Sequence, residues 1–136
     1  VTATVLYHFT CKHSKADIGT SNCLLIPQIR HPTLGCKVIW LTTEAVPDPE
    51  TTGLTTYIQK CDRMAYRYVV VADLEPCRPW LTSLERAAAP PRAVRDLEDG
   101  GDPEHWWITD KPIRASFDRA YVSRALSPVT RAKLPR

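Results

Sequence analysis

Hydrophobic and polar positions divide the chain into short stretches of different period. Over residues 4–10, Val5, Tyr7 and Phe9 alternate with Leu6 and His8, the two-residue period of a strand. The segment KVIWLTT (37–43) is rich in β-branched and aromatic residues and predicts a second strand. YRYVVVAD (66–73) predicts a third, apolar enough to be internal. HWWIT and PIRASF predict two further strands paired about a tight turn at Asp110–Lys111.

Helical signals are weaker. Ser14 and Asp17 form a Ser-x-x-Asp start for a short helix ending near Gly19, and NCLLIP follows as an extended stretch halted by Pro27. LTTYIQKCDRMA places Leu54, Tyr57, Ile58 and Cys61 on one helical side. Thr82 or Ser83 can cap a helix through LERAAA. Pro90–Pro91 breaks it, Pro91 suits the first position of another, and Gly100–Gly101 ends that one. Residues 28–37 and EAVPDPETTG read as loops. Short strands with helices inserted early and mid-chain predict an α+β fold on a bent, mostly antiparallel sheet. With 136 residues, no repeat and no dividing linker, a single domain is expected, with a basic tail over about 123–136.

Composition changes this picture little. Hydrophobic residues at 43% and charged residues at 24% are ordinary for a folded chain. No apolar run approaches the ~20 residues of a membrane span, and the start lacks a signal-peptide pattern, so a cytoplasmic protein without membrane contact is expected. The five cysteines are odd in number and show no Cys-x-x-Cys pair. They read as reduced core residues. A zinc site from Cys11 and His13 with Cys23 or His31 is disfavoured, and no metal is expected. The net charge of +3 is uneven: residues from Arg114 onward carry +5 and the first 113 carry −2. A basic end suggests a polyanion such as nucleic acid; a merely solvated tail remains open.

Several residues can carry chemistry. His8, in an apolar strand between two aromatics, can donate from one ring nitrogen and accept at the other, which suits a ribose hydroxyl or, equally, a core carbonyl. Trp40 can stack on a planar ring, with Thr42 facing the same side, or simply pack in a core. Glu104 and His105 open a strand containing two tryptophans. Desolvation there could raise the carboxyl pKa or let it stabilise a cation, against the reading of a surface residue beside Asp96, Glu98, Asp99 and Asp102. Arg67, between Tyr66 and Tyr68, can clamp a phosphate or form ion pairs on an exposed face. There is no Gly-x-Gly-x-x-Gly, P-loop, nucleophile elbow or His-Glu-x-x-His.

The order of these pieces resembles the ADP-ribosyltransferase superfamily. LYHFT is similar to the Leu-Tyr-His-Gly-Thr/Ser first-strand motif of its His-Tyr-Glu branch. KVIWLTTE is similar to its second motif, an aromatic residue in a strand followed by a small hydroxyl residue. PEHWWIT resembles the late strand that carries the glutamate. ADIGTSNCLLIP is similar to the Ile…Gly…Leu-x-Pro spacer of small DarT-like DNA-modifying members, bacterial or phage. The resemblance implies a curved split sheet and an activity on NAD, with nucleic acid or a nucleotide as acceptor. It implies that His8 binds the nicotinamide-side ribose and that the Phe9 backbone holds the nicotinamide amide, with Thr10 among the cofactor-binding residues. Trp40 would stack in place of the usual tyrosine, beside Thr42, with Tyr57 or Tyr66 as a second wall. Arg67, by its place on the strand, is counted among the cofactor-binding residues. Glu104 would bind the ribose hydroxyl and stabilise the oxocarbenium-like transition state. Phe9 stands where glycine is usual, and Glu104 lies one residue earlier than the best strand alignment, which puts His105 at the glutamate position. With His105 there, the resemblance extends to RNA 2′-phosphotransferases, which use basic residues and no catalytic glutamate, or to a non-catalytic nucleotide- or partner-binding module.

Overall fold

The computed structural model describes residues 4–10, 15, 18–19, 21–46 and 65–121. The Ser14–Asp17 helix start, the helix expected over 54–65, Tyr57 and the basic tail lie outside the described residues, apart from isolated positions.

Among the described residues, seven strands form one antiparallel sheet: β1 (Tyr7–Thr10), β2 (Cys23–Leu24), β3 (Ile39–Thr42), β4 (Tyr66–Val70), β5 (Cys77–Pro79), β6 (Trp106–Thr109) and β7 (Ile113–Phe117). Their spatial order is β2-β7-β4-β1-β3-β6-β5. The expected α+β class is observed, as a curled half-barrel with few helices. β4 is internal, as its run of apolar residues predicts, and lies between β7 and β1.

The strands expected as a hairpin are present but do not pair with each other. β6 pairs with β3 and β5, and β7 with β4 and β2. The turn itself is regular, with Lys111 N donating to Thr109 Oγ1 at 3.2 Å. Three strands separate β6 from β7, a gap of about 19 Å in a flat sheet. The link from Thr109 to Ile113 can reach only about 15 Å. The sheet must therefore curl, and its pairing is thinnest between β1 and β3. Those two strands share the single register pair Tyr7–Thr42, whereas β1 and β4 share four pairs.

Period-two alternation sends the strand side chains into two cores on opposite faces. Leu6, Ile39, Leu41, Tyr68, Val70, Ile113 and Ala115 build one, with Trp107 and Phe117 at its margin. Val38, Trp80, Trp106 and Ile108 build the other, with Trp40 packed against it. Two helices cover the second face, α1 (Leu84–Ala88) and α2 (Pro91–Glu98), contributing Val94 and the adjoining Ala89. Their ends follow the sequence signals. The Ser83 hydroxyl accepts from Arg86 N at 3.1 Å, Pro91 takes the first helical position, and Gly100 at φ +71° turns the chain out after α2. Gly101 then passes close over Trp106, where a Cβ would lie 2.9 Å from the indole Cζ2. Glu98 ties the helices together, accepting from Trp80 Nε1 at 2.6 Å and Arg86 Nε at 2.8 Å. No helix among the described residues is long and apolar enough to cross a membrane.

Candidate functional site

His8 follows the single β1–β3 register pair, Tyr7–Thr42. Its imidazole Nδ1 donates to the Trp40 carbonyl at 2.9 Å. A carbonyl only accepts, so Nδ1 carries the proton, and in the neutral ring Nε2 is an acceptor. The ring thus satisfies a main-chain group at the point where the β1–β3 ladder stops.

Register determines which aromatic residues share His8's side. His8 lies opposite Tyr68 on β4. Extending the Tyr7–Thr42 pair by one residue sets it level with Leu41, which pairs with Trp107 on β6. The indole on the His8 face is therefore Trp107, half-buried and two strands away, about 10 Å at ordinary strand spacing. Trp40 points to the other face. Its ring packs 4.9 Å from Trp80 and 6.1 Å from Trp106, centroid to centroid, beneath the helices. The expectation of a shared His8–Trp40 wall is corrected on this point: the backbones meet and the side chains do not. Alternation within HWWIT signals that Trp106 and Trp107 face opposite ways, but only the register tells which one joins His8.

Other expected site residues are distributed as follows. Phe9 is buried on the Trp40 face, edge-on to Tyr121 at 5.4 Å. Thr10 is buried opposite Tyr66, whose ring lies 6.0 Å from Phe117 and under Lys15 Nζ on the His8 face. Thr42 is buried, and its hydroxyl accepts from Glu44 N at 3.1 Å, turning the chain out of β3. Arg67 does not project as an anion clamp. Its Nε donates to Asp118 Oδ2 at 3.0 Å and its Nη1 to the Ala45 carbonyl at 2.6 Å, with the rings of Tyr7 and Tyr121 within 5.2 Å and 4.9 Å. The guanidinium holds the Asp118 carboxyl below its ordinary pKa, assisted by Ala120 N–H.

Glu104 and His105 stand in a 3-10 turn (Pro103–His105) that leads into β6. Glu104 is exposed. His105, partly exposed, extends the β3–β6 ladder by one step. Thr43 N donates to its carbonyl at 3.0 Å, and Thr43 Oγ1 is hydrogen-bonded to its Nδ1 at 2.7 Å. Its Nε2 lies 3.8 Å from Asp102 Oδ2. Glu44, one residue beyond Thr43, brings a second carboxylate to the same place: ligand atoms of Glu44, Asp102 and His105 all lie within 4.8 Å of one another. Glu44 Oε1 is buried and has no hydrogen-bond partner. This trio was not legible in the sequence, because β3–β6 pairing alone brings position 44 to 102 and 105.

Of the residues weighed for zinc, Cys11 and His13 lie outside the described residues, while His31 Nδ1 accepts from Thr33 N and Leu34 N at 3.2 and 3.1 Å and closes a turn. Burial pushes the thiols of Cys36 and Cys77 above their ordinary pKa, which suits unreactive core cysteines. No protein-family model, curated protein or solved structure matches the chain.

Proposed function

We propose that the protein is an NAD-dependent ADP-ribosyltransferase that works around His8 at the β1–β3 seam, with nucleic acid or a nucleotide as acceptor. The observation that carries this reading is the position of His8, whose ring is fixed by the Trp40 carbonyl where the β1–β3 pairing is reduced to a single residue pair. In this reading the imidazole binds the ribose next to nicotinamide, and the Phe9 main chain binds the nicotinamide amide. Trp107, rather than Trp40, supplies the stacking surface, with Tyr66 on the same face. The bond between ribose C1′ and the nicotinamide nitrogen breaks, its electron pair leaves with neutral nicotinamide, and the acceptor bonds to C1′ as its own proton is released to solvent. Glu104 supplies negative charge where the ribose becomes cationic. The basic residues from Arg114 onward bring the polyanionic acceptor.

A second reading is favoured by a specific contrast: His105 is held against β3 by Thr43, while Glu104 extends into solvent. On that basis His105 takes the glutamate position and the chemistry is that of an RNA 2′-phosphotransferase-like enzyme. The test is a thermal-shift titration with NAD followed by an assay of nicotinamide release, with oligonucleotides present and absent. Stabilisation by NAD together with release supports the transferase. Removal of a 2′-phosphate from RNA supports the second reading. Neither stabilisation nor turnover would sink both and leave a partner-binding module.

A further inference from the structure

We propose that Glu44, Asp102 and His105 form a binding site for a divalent first-row cation, zinc being the best match to their donor atoms. The inference goes beyond the nucleotide reading and does not depend on it, because its readout is metal binding and not turnover.

Three observations support it. First, the donors converge. Three protein ligands about 2.0–2.2 Å from a tetrahedral ion lie roughly 3.4 Å from one another. The His105 Nε2–Asp102 Oδ2 separation of 3.8 Å is already near that value, and the whole set spans no more than 4.8 Å. Rotation of a carboxylate closes the difference.

Second, the imidazole is oriented as a ligand. Thr43 Oγ1 is hydrogen-bonded to Nδ1 at 2.7 Å, and the main-chain bond from Thr43 N to the His105 carbonyl holds the two residues in step. When Nδ1 donates to the threonine, Nε2 presents its lone pair toward Asp102. Metal-bound histidines are commonly fixed this way, through the nitrogen that does not bind the ion.

Third, Glu44 is otherwise unexplained. One of its carboxylate oxygens is buried without a hydrogen bond, a costly arrangement for an anion unless a cation meets it. Asp102 and His105 are 28% and 41% exposed, so one side stays open to solvent for an ion to enter and a fourth ligand to bind. Imidazole beside two carboxylates selects zinc, manganese or iron over calcium and magnesium, which favour all-oxygen shells.

The experiment is a titration of the reduced, full-length chain with cobalt(II), followed optically, with zinc(II) as competitor. The expected result is one tight site displaced by zinc, with visible bands of an oxygen–nitrogen shell and no intense thiolate-to-cobalt band. Glu44→Gln and Asp102→Asn should each weaken binding at least tenfold. Thr43→Val, which alters only the positioning residue, should weaken it about tenfold to a hundredfold. Circular dichroism checks that each variant is folded. Nitrogen-15 shifts of the His105 ring in the unmutated chain, moving at Nε2 on zinc addition, keep the proposal testable if a variant fails to fold. Failure to bind zinc or cobalt below about 100 μM, a strong thiolate band assigning the metal to cysteines, or undiminished binding by folded Glu44→Gln and Asp102→Asn would each overturn it.

Discussion

His8 and Trp40 are joined by a 2.9 Å hydrogen bond from the imidazole to the tryptophan carbonyl, yet their rings lie on opposite faces of the sheet. Each ring therefore has a different task. Trp40 fills the core beneath the helices, while His8 stands on the face it shares with Tyr68 and Trp107.

Substitution separates the two tasks. Trp40→Ala removes an indole packed against Trp80 and Trp106 and should cost about 3–5 kcal/mol by chemical denaturation. Trp107 is likewise partly buried, so Trp107→Ala should cost a comparable amount, with a near-native spectrum. If Trp107 forms the ligand wall, only its loss should abolish NAD-induced stabilisation at a temperature where both variants remain folded. NAD stabilisation that survives in Trp107→Ala would remove the ring from the site.

This division shows what the sequence conveys and where it stops. Strands β3 and β4 and the caps of both helices were legible, because β-branched runs, Ser83 and Pro91 act locally. Alternation correctly put Trp40 and Thr42 on one side. It could not say which side His8 shares, because a one-residue slip between strands exchanges the faces, and the Tyr7–Thr42 register is a long-range fact. The three-residue link between β6 and β7 looked like a hairpin for the same reason: only the curl of the whole sheet carries the chain elsewhere. The three-residue strand β5, ending in Pro79, offered too little pattern to find.

Acid should loosen the junction of the two helices. The Arg86 hydrogen bond, assisted by the Trp80 indole, holds the Glu98 carboxyl below its ordinary value of 4.5. A carboxyl with a depressed folded pKa contributes stability that is fully present above its unfolded pKa and is lost as pH falls through the folded one. Stability should therefore decline from about pH 5 downward, and Glu98→Gln should flatten that part of the profile. High salt should weaken only the Arg86 component, because that guanidinium is 36% exposed whereas Trp80 is fully buried. Glu98→Ala, which leaves the indole N–H without an acceptor, should cost about 1–3 kcal/mol. A profile identical to that of the unmutated chain in Glu98→Gln would refute the assignment.

The two readings of chemistry diverge at adjacent residues. Glu104 is exposed on the turn before β6, so Glu104→Gln should leave stability unchanged within about 0.5 kcal/mol. If Glu104 stabilises a developing cation, the same change should lower nicotinamide release by orders of magnitude, in kcat more than in KM. Unaltered release in Glu104→Gln, with loss in His105→Ala, would move the role to the histidine held by Thr43.

The acceptor is tested through salt. The +5 balance from Arg114 onward, against −2 before it, motivates a nucleic-acid acceptor. Arg124 and Arg131 lie outside the described residues, so this prediction rests on charge alone. Each phosphate contact contributes roughly 0.7–0.9 to the slope of log affinity against log salt, depending on strandedness. Neutralising Arg119, Arg124 and Arg131 together should thus flatten the slope by about two to three units and weaken binding to all sequences alike. His8→Ala should leave both slope and affinity for the oligonucleotide unchanged while removing the response to NAD. The measurement is a titration of labelled single- and double-stranded oligonucleotides at two salt concentrations. If neither binds at low salt, the acceptor is a small molecule or a protein and the basic end serves another purpose.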